Sequence, residues 1–196
     1  MPDMSKTEIT PATEAEIAEA YEWNEIIDSV AGKDHLTGLP NRRAYERLIS
    51  LEIERAKRSD QPLSLAILDI DDFKQVNDKY GHLTGDLVLQ ELAKIMKDRL
   101  RKIDGPARYG GEEFTVVLPG TSLRGDEGEE NGAVYAAERL REFTASNLKV
   151  KGQPVTLSIG VAQWRKDETK EDFFQRADKV LLEAKKAGKN QVRAAN

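Results

Sequence analysis

The chain has no cysteine and only two histidines in 196 residues. Disulfide cross-links and thiolate metal centres are therefore excluded, and a zinc site would have few ligands to draw on. The lack of thiols fits a reducing compartment. No apolar run reaches the roughly 18 residues that a membrane-crossing helix needs. Residues 1–13 are polar and lack the apolar stretch of a secretory signal. Positive charge is also in deficit. There are 30 Lys and Arg against 35 Asp and Glu, a formal net charge of −5. That balance disfavours non-specific binding to nucleic acid or an anionic membrane, which needs a basic face. It leaves open the binding of one nucleotide through metal ions. The expectation is a cytoplasmic protein with one well-cored domain plus an extension.

Against that background, one stretch stands out: Arg108-Tyr109-Gly110-Gly111-Glu112-Glu113-Phe114. Gly110-Gly111 between two strand-prone segments reads as a two-residue hairpin turn, where glycine tolerates positive φ. Glu112 then falls at the tip or at the first strand position. Two carboxylates about 4 Å apart repel by about 4 kcal/mol at an effective dielectric near 20. A chain keeps such a pair solvated or places a cation between them. Upstream, Pro62-Leu63-Ser64-Leu65-Ala66-Ile67-Leu68 is an almost unbroken apolar run suited to a strand covered on both faces. It leads into Asp69-Ile70-Asp71-Asp72-Phe73, so Asp69 becomes a carboxylate at the end of a buried strand. Burying it unpaired is costly. A divalent ion shared with Glu113 removes both problems, and oxygen-only ligands favour Mg²⁺ or Mn²⁺.

The rest of the chain divides readily. Residues 1–13 read as a loose tail, 14–33 as a helix and linker, and 34–196 as the main domain. In the first helix Ile17, Ala20, Asn24, Ile27 and Ala31 alternate spacings of three and four. That seam either packs on its own domain or pairs with a second copy as a short coiled coil, with Asn24 fixing the register. Helices are expected over 41–58, 72–79, 84–101, 132–145 and 170–187. Thr84 reads as the N-cap of the third of these, with Asp86 in its first turn, and Asp71 and Asp72 read as helix caps. Strands are expected over 62–68, on both sides of the glycine turn, over 155–162 with 148–150 as a partner, and over 190–193. This order suggests an α+β sandwich with a ferredoxin-like core, its mixed sheet flanked by helices packed mainly on one face.

Several motifs in order resemble those of the GGDEF domains, the diguanylate cyclases. They are Asp34-His35-Leu36-Thr37-Gly38-Leu39-Pro40-Asn41-Arg42, Leu68-Asp69-Ile70-Asp71-Asp72-Phe73-Lys74, Asn77-Asp78-Lys79-Tyr80-Gly81-His82, Gly85-Asp86, the Arg108 to Phe114 stretch, Leu157-Ser158-Ile159-Gly160-Val161, Ala177-Asp178 and Ala184-Lys185-Lys186-Ala187-Gly188-Lys189-Asn190. The resemblance implies a palm-type nucleotidyl cyclase sandwich with an N-terminal helical extension. The implied reaction condenses two GTP into cyclic di-GMP and releases two pyrophosphates. It uses two Mg²⁺ (or Mn²⁺) ions per active site.

The resemblance also assigns roles. Asp69, Glu113 and the carbonyl of Ile70 become metal ligands, while Glu112 is either a ligand or the group that helps deprotonate the attacking hydroxyl. Phosphates lie against the turn 70–73, with Phe73 and Lys74 in the substrate-binding set and Lys185 and Lys189 as phosphate contacts. From the residues alone, those two lysines equally suit a solvated cationic face. Lys189 stands where the family usually has arginine, so the bidentate fork is lost. Asn77 and Asp86 are implied to hold guanine, and retention of Asp86 argues for two GTP. His82 is expected to fix the loop before Asp86.

Each domain holds one GTP, so catalysis implies a homodimer. An N-terminal sensory domain, absent from this chain, is the implied source of signal. Arg101-Lys102-Ile103-Asp104 matches an RxxD inhibitory site for the product, with Arg139 completing the pocket. Tyr135 replaces a residue that is often basic, and residues 124–131 look like an insertion. Leu182 replaces a frequent tyrosine, and only local repacking is expected.

Overall fold

The computed structural model describes residues 32–125 and 131–195. The expected helix over 14–31 and most of the acidic loop lie outside the described residues. After the connector comes α1 (Arg42–Ser59), capped by Asn41, whose side chain accepts the N–H of Ala44. Then follow β1 (Leu63–Ile70), α2 (Phe73–Tyr80) and α3 (His82–Arg99). The acidic hairpin is β2 (Gly105–Gly110) and β3 (Glu113–Pro119). Beyond it come α4 (Ala133–Asn147), the two-residue strands β4 (Lys149–Val150) and β5 (Gln153–Pro154), β6 (Leu157–Gln163), α5 (Lys170–Lys186) and β7 (Val192–Ala195). Among the described residues no helix is long and apolar enough to cross a membrane.

The main sheet has the order β2-β3-β1-β6-β7. Strand β1 is its centre. All eight of its residues are buried, and it pairs antiparallel with both β3 and β6. Only β7 joins in parallel, beside β6. Strand residues alternate between two cores. Ala66, Leu68, Phe114, Val116 and Ile159 meet Leu89, Leu92 and Met96 of α3 and Leu140 of α4 on one face. Leu65, Ile67 and Val117 meet Tyr45, Leu48 and Ile49 of α1 and Phe173, Ala177 and Leu181 of α5 on the other. The helices therefore cover both faces, not mainly one. A central strand with apolar residues on both sides requires it.

Gly160 lets α5 approach that closely. A Cβ there would strike the carbonyl of Ala177 and lie 2.6 Å from the backbone nitrogen of Leu181. Backbone cannot swing aside as a side chain can. Gly160→Ala is expected to cost about 3 kcal/mol by overpacking, a fall of about 6 to 12 °C in Tm. Thermal unfolding of the purified variant checks this, and an unchanged Tm would show that α5 shifts freely.

Several local expectations are corrected. Helix α3 begins at His82, not at Thr84. The Thr84 hydroxyl donates to the carbonyl of Tyr80, and Asp86 lies beyond the first turn. His82 itself is exposed and has no hydrogen-bond partner among the described residues. Neither Asp71 nor Asp72 caps α2. Asp71 is buried and serves other donors, and Asp72 makes no capping bond. The hairpin turn is centred on Gly111 and Glu112, since Gly110 already pairs with Glu113 across a bulge. Strand β4 pairs with β5 in a separate small hairpin, so 148–150 is not the partner of the long strand.

Candidate functional site

The C-terminal end of β1 brings the acidic residues together. Cross-strand register sets Asp69 opposite Glu113, the first residue of β3. The next residue, Ile70, donates its N–H to the carbonyl of Glu112 at 3.4 Å. Asp69 is nearly buried, while Glu112 and Glu113 are half-exposed. Burial raises the proton affinity of Asp69. The Lys185 hydrogen bond and charge oppose that, the Glu112 and Glu113 charges add to it, and the carboxyl titrates at about 6. Lys185 Nζ, from the last turn of α5, sits 2.7 Å from Asp69 Oδ2.

This arrangement suits a hard divalent ion. All the donors are oxygen, and a cationic group already stands on the buried carboxylate. Among the described residues the carboxylates do not form a preformed cage of three ligands. The charges of Glu112 and Glu113 raise the cost of ionising Asp69, which a bound ion would relieve.

A short step along the chain, Asp71 anchors the turn. Its Oδ1 accepts from the Ser158 hydroxyl at 2.6 Å. Its Oδ2 accepts from the Thr156 hydroxyl at 2.7 Å and from the N–H of Asn190 at 3.0 Å. The sequence reading of Asp71 as a helix cap did not anticipate these partners. The Thr156-x-Ser158 alternation on the neighbouring strand is the signal that points to a buried acceptor. The first helical N–H groups, of Phe73 and Lys74, have no backbone partner among the described residues. A helix start with free N–H groups suits anions. Lys74 is exposed there, Phe73 is buried beneath it, and Lys189 reaches Asp72 Oδ1 at 2.7 Å.

Between α2 and α3 lie Asn77 and Asp86. A Cβ on Gly85 would collide with Asn77 Oδ1 and lie 3.1 Å from Phe73 Cζ. Glycine is what allows Asn77 to rest on α3 beside Asp86. Both side chains are half-buried, and neither has a hydrogen-bond or ion-pair partner among the described residues. Desolvated polar groups left free in this way suit a ligand that offers matched donors and acceptors.

Arg101, Asp104 and Arg139 line one cleft of about 150 Å³, together with Tyr135. Arg101 is already engaged. Its Nη2 donates to Asp104 Oδ1 at 2.7 Å and to Thr121 Oγ1, and its backbone N–H donates to Asp104 Oδ2 at 2.8 Å. Burial raises the proton affinity of Asp104, and the Arg101 contacts and the Arg139 charge oppose it. The Arg139 guanidinium lies 5.8 Å from the centre of the Tyr135 ring.

A central sheet with an acidic hairpin beside its middle strand, flanked by helices, is the palm-type nucleotidyl cyclase fold. The family model for the diguanylate cyclase GGDEF domain matches residues 31–191. Diguanylate cyclase DgcP of Pseudomonas aeruginosa is 44% identical over 165 residues, which cover 83% of this chain and 24% of that protein. Diguanylate cyclase DgcS of Shewanella oneidensis is 33% identical over 183 residues, covering 93% of this chain and 59% of that one. The chain thus spans less than two thirds of the length of these curated relatives.

Among solved structures, the coiled coil and GGDEF domain of DgcB from Caulobacter crescentus, in complex with c-di-GMP, superposes with a TM-score of 0.76. It is 31% identical and covers 92% of this chain and 94% of that one. Diguanylate cyclase SiaD of Pseudomonas aeruginosa, in complex with its activator SiaC, gives a TM-score of 0.77 at 39% identity, with 92% of this chain and 70% of that chain covered. This chain belongs to the GGDEF family.

Proposed function

We propose that the chain is a diguanylate cyclase that joins two GTP into cyclic di-GMP and releases two pyrophosphates. The observation that carries this reading is the β1–β3 register. It places Asp69 opposite Glu113, with Glu112 at the adjoining turn. Asp69, Glu112, Glu113 and the carbonyl of Ile70 would hold two Mg²⁺ or Mn²⁺ ions. Such ions, when bound, stabilise the charge that develops on the attacking and leaving oxygens.

The chain's own groups do the rest. The free N–H groups at the head of α2 and the ammonium groups of Lys185 and Lys189 hold the triphosphate. Asn77 and Asp86 receive the guanine edge. A carboxylate accepts both N1–H and the N2 amino group, a pattern adenine does not offer. Phe73 packs beneath and Lys74 borders the phosphates. Glu112 either completes the ligand set or takes the proton of the 3′-hydroxyl. That hydroxyl attacks the α-phosphorus of the second GTP, the bond to the leaving pyrophosphate breaks, and the same exchange repeats in the other direction. The described residues form one such site, so two copies must face each other. Much of the rate then comes from proximity.

Purified chain with GTP and Mg²⁺, analysed by chromatography across a range of protein concentrations, tests chemistry, product and dimer requirement together. Cyclic di-GMP formed with a rate that rises faster than concentration is the expected result. No product at any concentration would overturn the reading.

Arg101, Asp104 and Arg139 form the product's inhibitory site in this reading. The guanidinium of Arg101 must leave Asp104 to fork onto a guanine or phosphate. Arg101→Ala is expected to weaken cyclic di-GMP binding by about tenfold, as loss of a charge-assisted bidentate contact. Isothermal titration reads this directly. Equal affinity in the variant would remove Arg101 from product binding.

A further inference from the structure

In this structure the partner of Lys189 is Asp72. The ammonium lies 2.7 Å from Asp72 Oδ1, and the pair is open to water. Asp72 stands at the helix-opening position yet leaves the first N–H groups of α2 alone. Its backbone is left-handed at φ 55° and its side chain makes no cap. The carboxylate instead takes Lys189 and the amide of Gln75. Lys189 arrives on a loop of three successive positive-φ residues: Gly188 at 113°, Lys189 at 63° and Asn190 at 44°. Such backbone is costly for residues other than glycine and persists only where contacts hold it. Asp71 supplies one of those contacts, through the N–H of Asn190. Two adjacent aspartates thus grip one loop, Asp71 by its backbone and Asp72 by its cation.

Resting on the functional reading above, the geometry points to Asp72 as a residue that sets affinity and charge preference at the phosphate end of the site: it keeps Lys189 as its counter-ion when no nucleotide is present, and loses it to the phosphates when one binds. Binding must break the Asp72–Lys189 pair and then leave a carboxylate beside the phosphate chain. Both effects oppose the ligand, and the second grows with its negative charge. Asp72 therefore weakens binding of a triphosphate more than binding of a monophosphate. Lys189, a point charge and not a planar fork, can exchange between a carboxylate and a phosphate without a matched bidentate geometry.

Equilibrium titration of the full chain with a non-hydrolysable GTP analogue, GDP and GMP tests this in the wild type, Asp72→Asn, Lys189→Ala and the double variant. Asp72→Asn is expected to bind the triphosphate analogue about three- to fivefold more tightly, the scale of one exposed ion pair. The gain should shrink from GTP analogue to GDP to GMP, shrink with added salt, and be smaller in the Lys189→Ala background. A residue that merely shaped the turn would change all three ligands alike. Weaker binding in Asp72→Asn, or equal gains for all three ligands, would overturn the inference. So would binding by the wild type with no gain in the variant, and that would leave the functional reading standing. Failure of the wild type to bind the analogue at all would overturn both.

Discussion

Glu113→Ala is expected to reduce cyclic di-GMP formation by about 10³-fold or more while leaving the fold intact. The two halves of that expectation have separate grounds. Glu113 is the strand residue facing Asp69, and it is one of three carboxylates available to a cation there. Removing it takes away transition-state stabilisation that no neighbour replaces. Structurally, Glu113 is half-exposed and has no hydrogen-bond or ion-pair partner among the described residues. Its loss breaks no contact and relieves repulsion on Asp69. The change in stability should stay within about 0.5 kcal/mol, as for other surface changes. Product chromatography and thermal unfolding on the same preparation separate the two. Full activity with Mg²⁺ present would take Glu113 out of the chemistry.

Asp69→Asn should be equally inactive, yet more stable than the parent in metal-free buffer at pH 7. The folded Asp69 carboxyl titrates at about 6 against an ordinary 3.8, chiefly because burial disfavours its charge. Between those pH values the folded chain binds more protons than the unfolded chain. Stability therefore falls as pH rises through that window, and the full loss is in place above it. Asparagine, neutral at every pH, escapes the loss. It also gives up the Lys185 ion pair, which is partly screened by water. The net gain at pH 7 should be on the order of 1 kcal/mol, or about 2 to 4 °C in Tm. It should vanish near pH 4, where the parent carboxyl is protonated. Added Mg²⁺ should stabilise the parent and not the variant, by linkage. Unfolding curves from pH 4 to pH 8 in chelator decide the matter. A variant less stable at pH 7 would mean that the Lys185 pair outweighs the burial.

The central strand and the acidic hairpin were legible because both carry strong local signals. An apolar run bounded by turn residues has few alternatives to a strand buried on both faces, and Gly-Gly between strands has few alternatives to a turn. The described helices lie within a few residues of their expected ends. The carboxylate assignments were less legible. Asp71, Asp72 and Thr84 all have the composition of N-caps, and none acts as one. Asp71 is claimed by hydroxyls from a strand 85 and 87 residues away. Asp72 is claimed by a lysine 117 residues on. Local sequence cannot weigh partners that distant. Helices on both faces of the sheet were foreshadowed by β1 itself, since a strand apolar on both sides leaves neither face for water.

Arg108 links two separate segments of the chain. Its Nη1 holds the Asp34 carboxylate at 3.0 and 3.2 Å. Its Nε and Nη2 hold the carbonyl of Gly111 at 3.0 and 2.8 Å. One planar, rigid guanidinium thus bolts the connector to the peptide immediately before the two glutamates. The side-chain link from Asp34 to the hairpin turn therefore runs alongside the backbone pairing of β2 with β3. The connector and the turn that carries Glu112 are thus joined through a single arginine side chain.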